Sequence, residues 1–91
     1  LYLDNDEYPK CVTAANNALN KGGLRKKQTV YVVRGMCEYN RDRLGPARGS
    51  FVSCRNEARR VRDTGNTRIC QQWITFIDRE LNRREQLAQA I

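Results

Sequence analysis

Apolar residues recur at three- and four-residue steps through residues 7–21, where Tyr8, Cys11, Val12, Ala15, Ala18 and Leu19 share one face of a predicted helix. Asp6 can cap its start by accepting from the free amides of the first turn, and Pro9 is tolerated where its missing amide has no partner anyway. Asn20-Lys21-Gly22-Gly23 stops it, since glycine enters the left-handed C-terminal conformation without a Cβ clash. A basic connector over residues 24–28 follows. Residues 29–40 carry two conflicting signals. Val30, Val33, Cys37 and Leu44 fit one helical face with Thr29 as cap, yet Thr29 to Val33 is β-branched and aromatic throughout, which favours a strand. A lone strand needs a partner, and no other segment alternates cleanly. The segment is therefore read as a helix. A strand at about 28–34, in an α+β two-layer sandwich, is the alternative.

Leu44-Gly45-Pro46-Ala47-Arg48-Gly49 reads as a loop. Ser50 then caps a helix with apolar positions Phe51, Cys54, Ala58 and Val61, ended by Asp63-Thr64-Gly65-Asn66. Thr67 caps the last element, whose apolar stripe is Ile69, Cys70, Trp73, Phe76, Ile77 and Leu81, with Trp73 and Phe76 expected in the core. Gln71, Gln72, Thr75, Asp78, Arg79 and Asn82 hold the other face, and residues 83–91 continue the helix or fray. The pattern predicts an all-α fold: a small disulfide-stapled bundle of three to four helices, in one domain spanning residues 1–91.

A chain of 91 residues buries a modest core and is marginal without reinforcement. The cysteines Cys11, Cys37, Cys54 and Cys70 are even in number and widely spaced, which points to two disulfides. A zinc site is the lesser reading, because there is no C-x-x-C pair and no histidine. With antiparallel helices rising about 1.5 Å per residue, Cys54 one turn into its helix would lie on the order of 15 Å from Cys70, too far to bridge. Cys37 would be level with Cys54. The expected pairs are therefore Cys37–Cys54 and Cys11–Cys70, with Cys11–Cys54 and Cys37–Cys70 as the fallback among three connectivities. Disulfides imply an oxidising compartment, so the expectation is a secreted, extracellular protein. No apolar run is long enough for a transmembrane segment. Opening on Leu1-Tyr2-Leu3-Asp4, without a basic then apolar leader, the chain reads as a mature fragment.

The net charge of +7 is unevenly spread. Residues 21–49 hold eight basic side chains against two acidic ones, whereas residues 1–20 are net acidic. Such a surface favours an acidic protein or an anionic surface as partner. Arg55, Arg59 and Arg62 share a helical face by their four- and three-residue spacing, and Arg25-Lys26-Lys27 form a basic loop. Both sets are candidate anion- or partner-binding residues. No aromatic residues interleave with the arginines, and no specific nucleic-acid motif is present. Without histidine there is no triad and no H-E-x-x-H, and neither a P-loop nor G-x-G-x-x-G occurs. Asp78 and Glu80 point in different directions on one helix. The expectation is a non-enzyme with no cofactor and no metal.

Ser50-Phe51-Val52-Ser53-Cys54 followed by Arg68-Ile69-Cys70-Gln71 is similar to the second half of a killer-toxin-type domain. With its size, even cysteine count and acidic lead before Cys11, the chain resembles the small secreted cysteine-containing effectors and killer-toxin-like proteins of fungi. Those proteins have an α/β sandwich and usually more cysteines. The long C-terminal helix departs from them, so neither fold nor site residue is carried over. The resemblance implies a secreted interaction protein of effector or toxin type, binding a host or competitor macromolecule. The alternatives are a membrane-active or antimicrobial basic protein and a secreted signalling factor read by a receptor.

Overall fold

The computed structural model describes residues 7–23 and 26–90, so the expected Asp6 cap, Arg25 and Ile91 lie outside the described residues. Four helices follow one another: α1 Glu7–Lys21, α2 Lys27–Asn40, α3 Leu44–Arg60 and α4 Thr64–Ala90. There is no strand among the described residues, which settles residues 28–34 as helix. Packing overrides the β-propensity of that stretch: Tyr31 and Val32 lie against the core, as do Met36 and Tyr39 one and two turns on. Thr29 lies inside α2 rather than capping it, its hydroxyl donating to the Lys26 carbonyl at 2.7 Å.

Two further expected boundaries are corrected. Leu44–Gly49 is the start of α3, not a loop. Pro46 sits in its first turn, where an absent amide costs nothing, and Leu44 and Ala47 are buried there. Ser50 is therefore in mid-helix. It accepts from Arg34 Nε at 2.8 Å and donates to the buried Glu38 carboxylate, while Arg34 also reaches Asn16 at 2.9 Å. This polar cluster joins α1, α2 and α3. At α4 the cap is Asp63 rather than Thr67: its Oδ1 accepts the Asn66 amide at 3.1 Å, and Thr67 lies one turn inside.

The helices pack as successive antiparallel hairpins. Among the described elements α1 touches only α2, α2 and α3 share the broadest contact, α3 carries α4, and α2 and α4 meet briefly. The core lies between α2, α3 and α4: Leu44, Ala47, Phe51, Cys54, Cys70, Ile74 and Ile77. Gly35 lets α2 close on it, because a Cβ there would stand 2.8 Å from the Phe51 ring. Since α4 rests mainly on one neighbour, only the narrow row Cys70, Ile74 and Ile77 is covered. Phe76, expected in the core, is 48% exposed, and Ile69, Leu81 and the turn residue Val61 are exposed as well. Trp73 is only half-buried.

The disulfides are Cys11–Cys37 and Cys54–Cys70, which corrects both expected pairs and the fallback. Hairpin register is the reason. Two antiparallel helices joined by a tight turn bring together residues equidistant from that turn. Cys54 and Cys70 each lie eight positions from Arg62, the middle of the α3–α4 connection. Cys11 and Cys37 each lie thirteen positions from residue 24, the sequence midpoint of the α1–α2 connection. Starting α3 at Leu44 instead of Ser50 puts Cys54 ten positions past that start while Cys37 lies three before the end of α2, so these two are not level.

Carboxylate–guanidinium clamps fasten the outside. Arg84 grips Asp42 in the α2–α3 turn at 2.6 and 3.1 Å, and Arg48 grips Asp78 at 2.6 and 3.2 Å. The Arg84 hydrogen bond holds the Asp42 carboxyl below its ordinary value, and Arg48 does the same to Asp78. Arg83 and then Arg84 hold Glu80 down to about 2. All three are lowered in the folded state, so their stabilisation is complete above the unfolded carboxylate values and is lost as acid protonates them. The melting temperature should hold level from neutral pH to about 5 and fall progressively below about 4, with high salt blunting the loss. An unchanged melting temperature at pH 2.5 would show that these exposed clamps do not contribute.

Candidate interaction surface on α3 and α4

The α3–α4 connection, Val61-Arg62-Asp63, repeats the geometry of the α2–α3 connection, Arg41-Asp42-Arg43. In each the middle residue has φ 60°, its amide reaches back three residues, and the next amide reaches back five: Arg62 to Arg59 and Asp63 to Ala58 in one, Asp42 to Tyr39 and Arg43 to Glu38 in the other. This is the Schellman closure, in which glycine is the usual left-handed residue. An L-residue there costs roughly 1–2 kcal/mol. Asp42 is a favoured exception and is held by Arg84, whereas the Arg62 guanidinium bonds to no described residue.

Arg62 opens onto a groove of about 690 Å³, which it lines together with Arg59, Thr64, Thr67 and Arg68. Gln71 and Gln72 form its far wall and also border a second groove of about 620 Å³ along α4. That second groove is apolar, walled by Tyr39, Ile69, Trp73 and Phe76, with Arg79 at its end. The aromatic side chains support one another: Trp73 stacks on Phe51 at 4.9 Å and meets Tyr39 edge-on at 5.2 Å, and Phe76 lies 6.1 Å from Trp73. Among the described residues, no acidic side chain lines either groove.

Most other arginines are neutralised internally. Arg60 grips Glu57 at 2.6 and 3.1 Å, Arg48 grips Asp78, and Arg83 and Arg84 share Glu80. The guanidinium groups of Arg59, Arg62, Arg68 and Arg79 bond to no described residue, nor do those of Arg41 and Arg43 in the α2–α3 turn, away from the grooves. The nearby acids are already engaged. Asp63 is held below its ordinary value first by the Asn66 amide, then by Gln28 and the Asn66 side chain, and Glu57 is held down by Arg60.

The expected arginine stripe is thus brought together only in part. Arg59 and Arg62 share the groove, but Arg55 is half-buried and donates to Gln71 at 2.9 Å. Lys26 and Lys27 stand at the start of α2, near the same end of the bundle: Lys27 adds to the pull on Glu57, and Lys26 to that on Asp63. Their charge faces those acids and lines neither groove. Arg68, Arg79 and Tyr39 were not singled out by sequence, because each joins the surface only once α4 folds back on α3 and α2 lies alongside.

Asp78 and Glu80, the carboxylate pair noted in the sequence, are each occupied by arginine. No cluster of potential metal ligands and no helix able to cross a membrane occurs among the described residues. Comparison of the chain with protein-family models, curated proteins and solved structures finds no match.

Proposed function

We propose that the chain is a secreted, non-enzymatic interaction protein of effector or toxin type that binds an acidic macromolecule of a host or competitor through its basic α3–α4 surface. The observation that carries this reading is the row of guanidiniums, Arg59, Arg62 and Arg68, that bond to no described residue and line a groove with no acid among its described residues. Arginine suits the role, because its planar fork meets carboxylates bidentately and sheds water more readily than lysine. The two disulfides accord with an extracellular life.

The test is binding of the oxidised protein to immobilised acidic extracellular proteins across a salt series. Binding should saturate, weaken as salt rises, and weaken further in a folded Arg59→Gln/Arg62→Gln/Arg68→Gln variant, mainly through a slower on-rate. Affinity indifferent to both salt and the triple replacement would remove the basic surface from the function. Leakage of phosphatidylserine vesicles at concentrations that spare neutral ones would replace the reading with a membrane-active one.

Arg62 gives a separate check. Arg62→Gly should raise stability by about 0.5–1 kcal/mol, the left-handed penalty less the backbone freedom glycine adds to the unfolded chain. Urea denaturation reads this directly. A destabilised variant would show that the Arg62 side chain supports the turn and is not held there for a partner.

A further inference from the structure

We infer that the two grooves form one composite site for an extended acidic peptide segment carrying a large apolar side chain, with its carboxylates on the arginines at the two ends and the apolar residue between them. The inference rests on the basic-surface reading and narrows it to a partner of defined chemistry.

The arrangement along α4 carries the argument. Arg68 stands at one end with Arg59 and Arg62 beside it, Arg79 stands at the other, and Ile69, Trp73 and Phe76 lie between. The grooves share Gln71 and Gln72; Gln71 is already engaged by Arg55 and Thr75, so the Gln72 amide is the one left to meet a passing peptide backbone. Arg68 and Arg79 are eleven positions apart, about 16 Å at helical rise, which an extended segment covers in about five residues. The fitting ligand therefore has a carboxylate, a bulky apolar residue two or three positions on, and a second carboxylate within about six.

Half-exposed aromatic residues beside arginine are the composition of an interface hot spot. Here the rings are already fixed against Phe51 and Tyr39, so little ordering cost remains. Arg62 in its left-handed turn points the same way, since strain without internal compensation marks positions kept for a contact. A second copy of this chain would oppose the same unpaired guanidiniums to one another. A bilayer would need an unbroken apolar face, but Gln72, Thr75 and Arg79 interrupt Ile69 and Phe76.

The experiment is selection of a random peptide library on the oxidised protein, followed by titration of synthesised winners against Trp73 fluorescence, the chain's sole tryptophan. Selected peptides should combine Asp or Glu with Phe, Trp, Leu or Ile at the stated spacing. Affinity should fall about ten-fold or more in Phe76→Ser, in Ile69→Gln, in the Arg59→Gln/Arg62→Gln/Arg68→Gln variant, and when the peptide's own apolar residue becomes alanine. The last change leaves the protein untouched, so a folding defect cannot imitate it. Loss with the arginine variant alone, and none with Phe76→Ser or the alanine peptide, would overturn the composite site while leaving the basic-surface reading in place. Loss with neither protein variant would overturn both. Enrichment of purely acidic peptides, or tighter binding to phosphatidylserine vesicles than to any peptide, would also overturn it.

Discussion

Phe51→Ala is expected to cost about 3–5 kcal/mol, enough to leave much of the chain unfolded at 25 °C. Phe51 is fully buried and belongs to the one core between α2, α3 and α4. On one side its ring lies under Gly35 so closely that a single added carbon would collide with it at 2.8 Å. On another it stacks on Trp73, with the ring planes within 1°. Truncation would therefore open a cavity that both α2 and α4 border, and the rigid helices could refill it only in part. Trp73→Ala removes a larger side chain but should cost less, because Trp73 is half-buried and part of its area already faces water. Urea denaturation followed by near-ultraviolet circular dichroism gives the order. A Phe51→Ala midpoint close to the parent's, or a greater loss from Trp73→Ala, would show that the core is organised around Trp73 instead.

That ordering reverses what the apolar pattern of α4 implies, and the reason is physical. Periodicity reports which residues share a face of a helix, but the neighbours decide how much of that face is covered. Ile69, Trp73, Phe76 and Leu81 lie on a stripe wide enough for two partners, yet α4 rests chiefly on α3, so Cys70, Ile74 and Ile77 take the burial. α1 was legible to the residue because Gly22, at φ 73°, supplies an unambiguous stop. The start of α3 was not, because Gly45-Pro46 resembles a turn signal although proline fits equally well in a first helical turn. That boundary separates Cys54 from Cys37, and the start of α4 at Thr64 instead of Thr67 brings Cys70 level with Cys54, so the two shifts together misplaced the disulfides. The candidate site was half legible: Arg59 and Arg62 through their spacing, while Arg68 and Arg79 needed the hairpin. Residue 62 gave no sign of its left-handed geometry, since the sequence places arginine where the turn favours glycine.

The second large effect separates the two disulfides. Chain-entropy arithmetic hardly distinguishes them: loops closed across 16 and 26 residues both give about 3 kcal/mol. Their places in the packing do. Cys54 and Cys70 are fully buried in the core cluster and join α3 to α4, so Cys54→Ala/Cys70→Ala should lower global stability by about 3 kcal/mol, with the cavity of two lost sulfurs adding to it. Cys11–Cys37 joins α1 to α2; Cys37 is buried but outside the core cluster, and among the described elements α1 has no other neighbour and only Tyr8 and Ala15 buried. Cys11→Ala/Cys37→Ala should therefore act locally. α1 should detach at small cost while α2, α3 and α4 keep their core, because short helices with little buried area open independently. Amide hydrogen exchange resolves the two cases. The first variant should lose protection evenly across all helices, and the second should lose it over residues 7–21, with α3 and α4 keeping most of theirs. The α3–α4 surface would then survive in the second variant, so peptide binding there should be retained. Even loss of protection in the Cys11→Ala/Cys37→Ala protein would mean that α1 is a full member of the cooperative unit, with the Arg34–Asn16 bond carrying the coupling from α1 into α2 and α3.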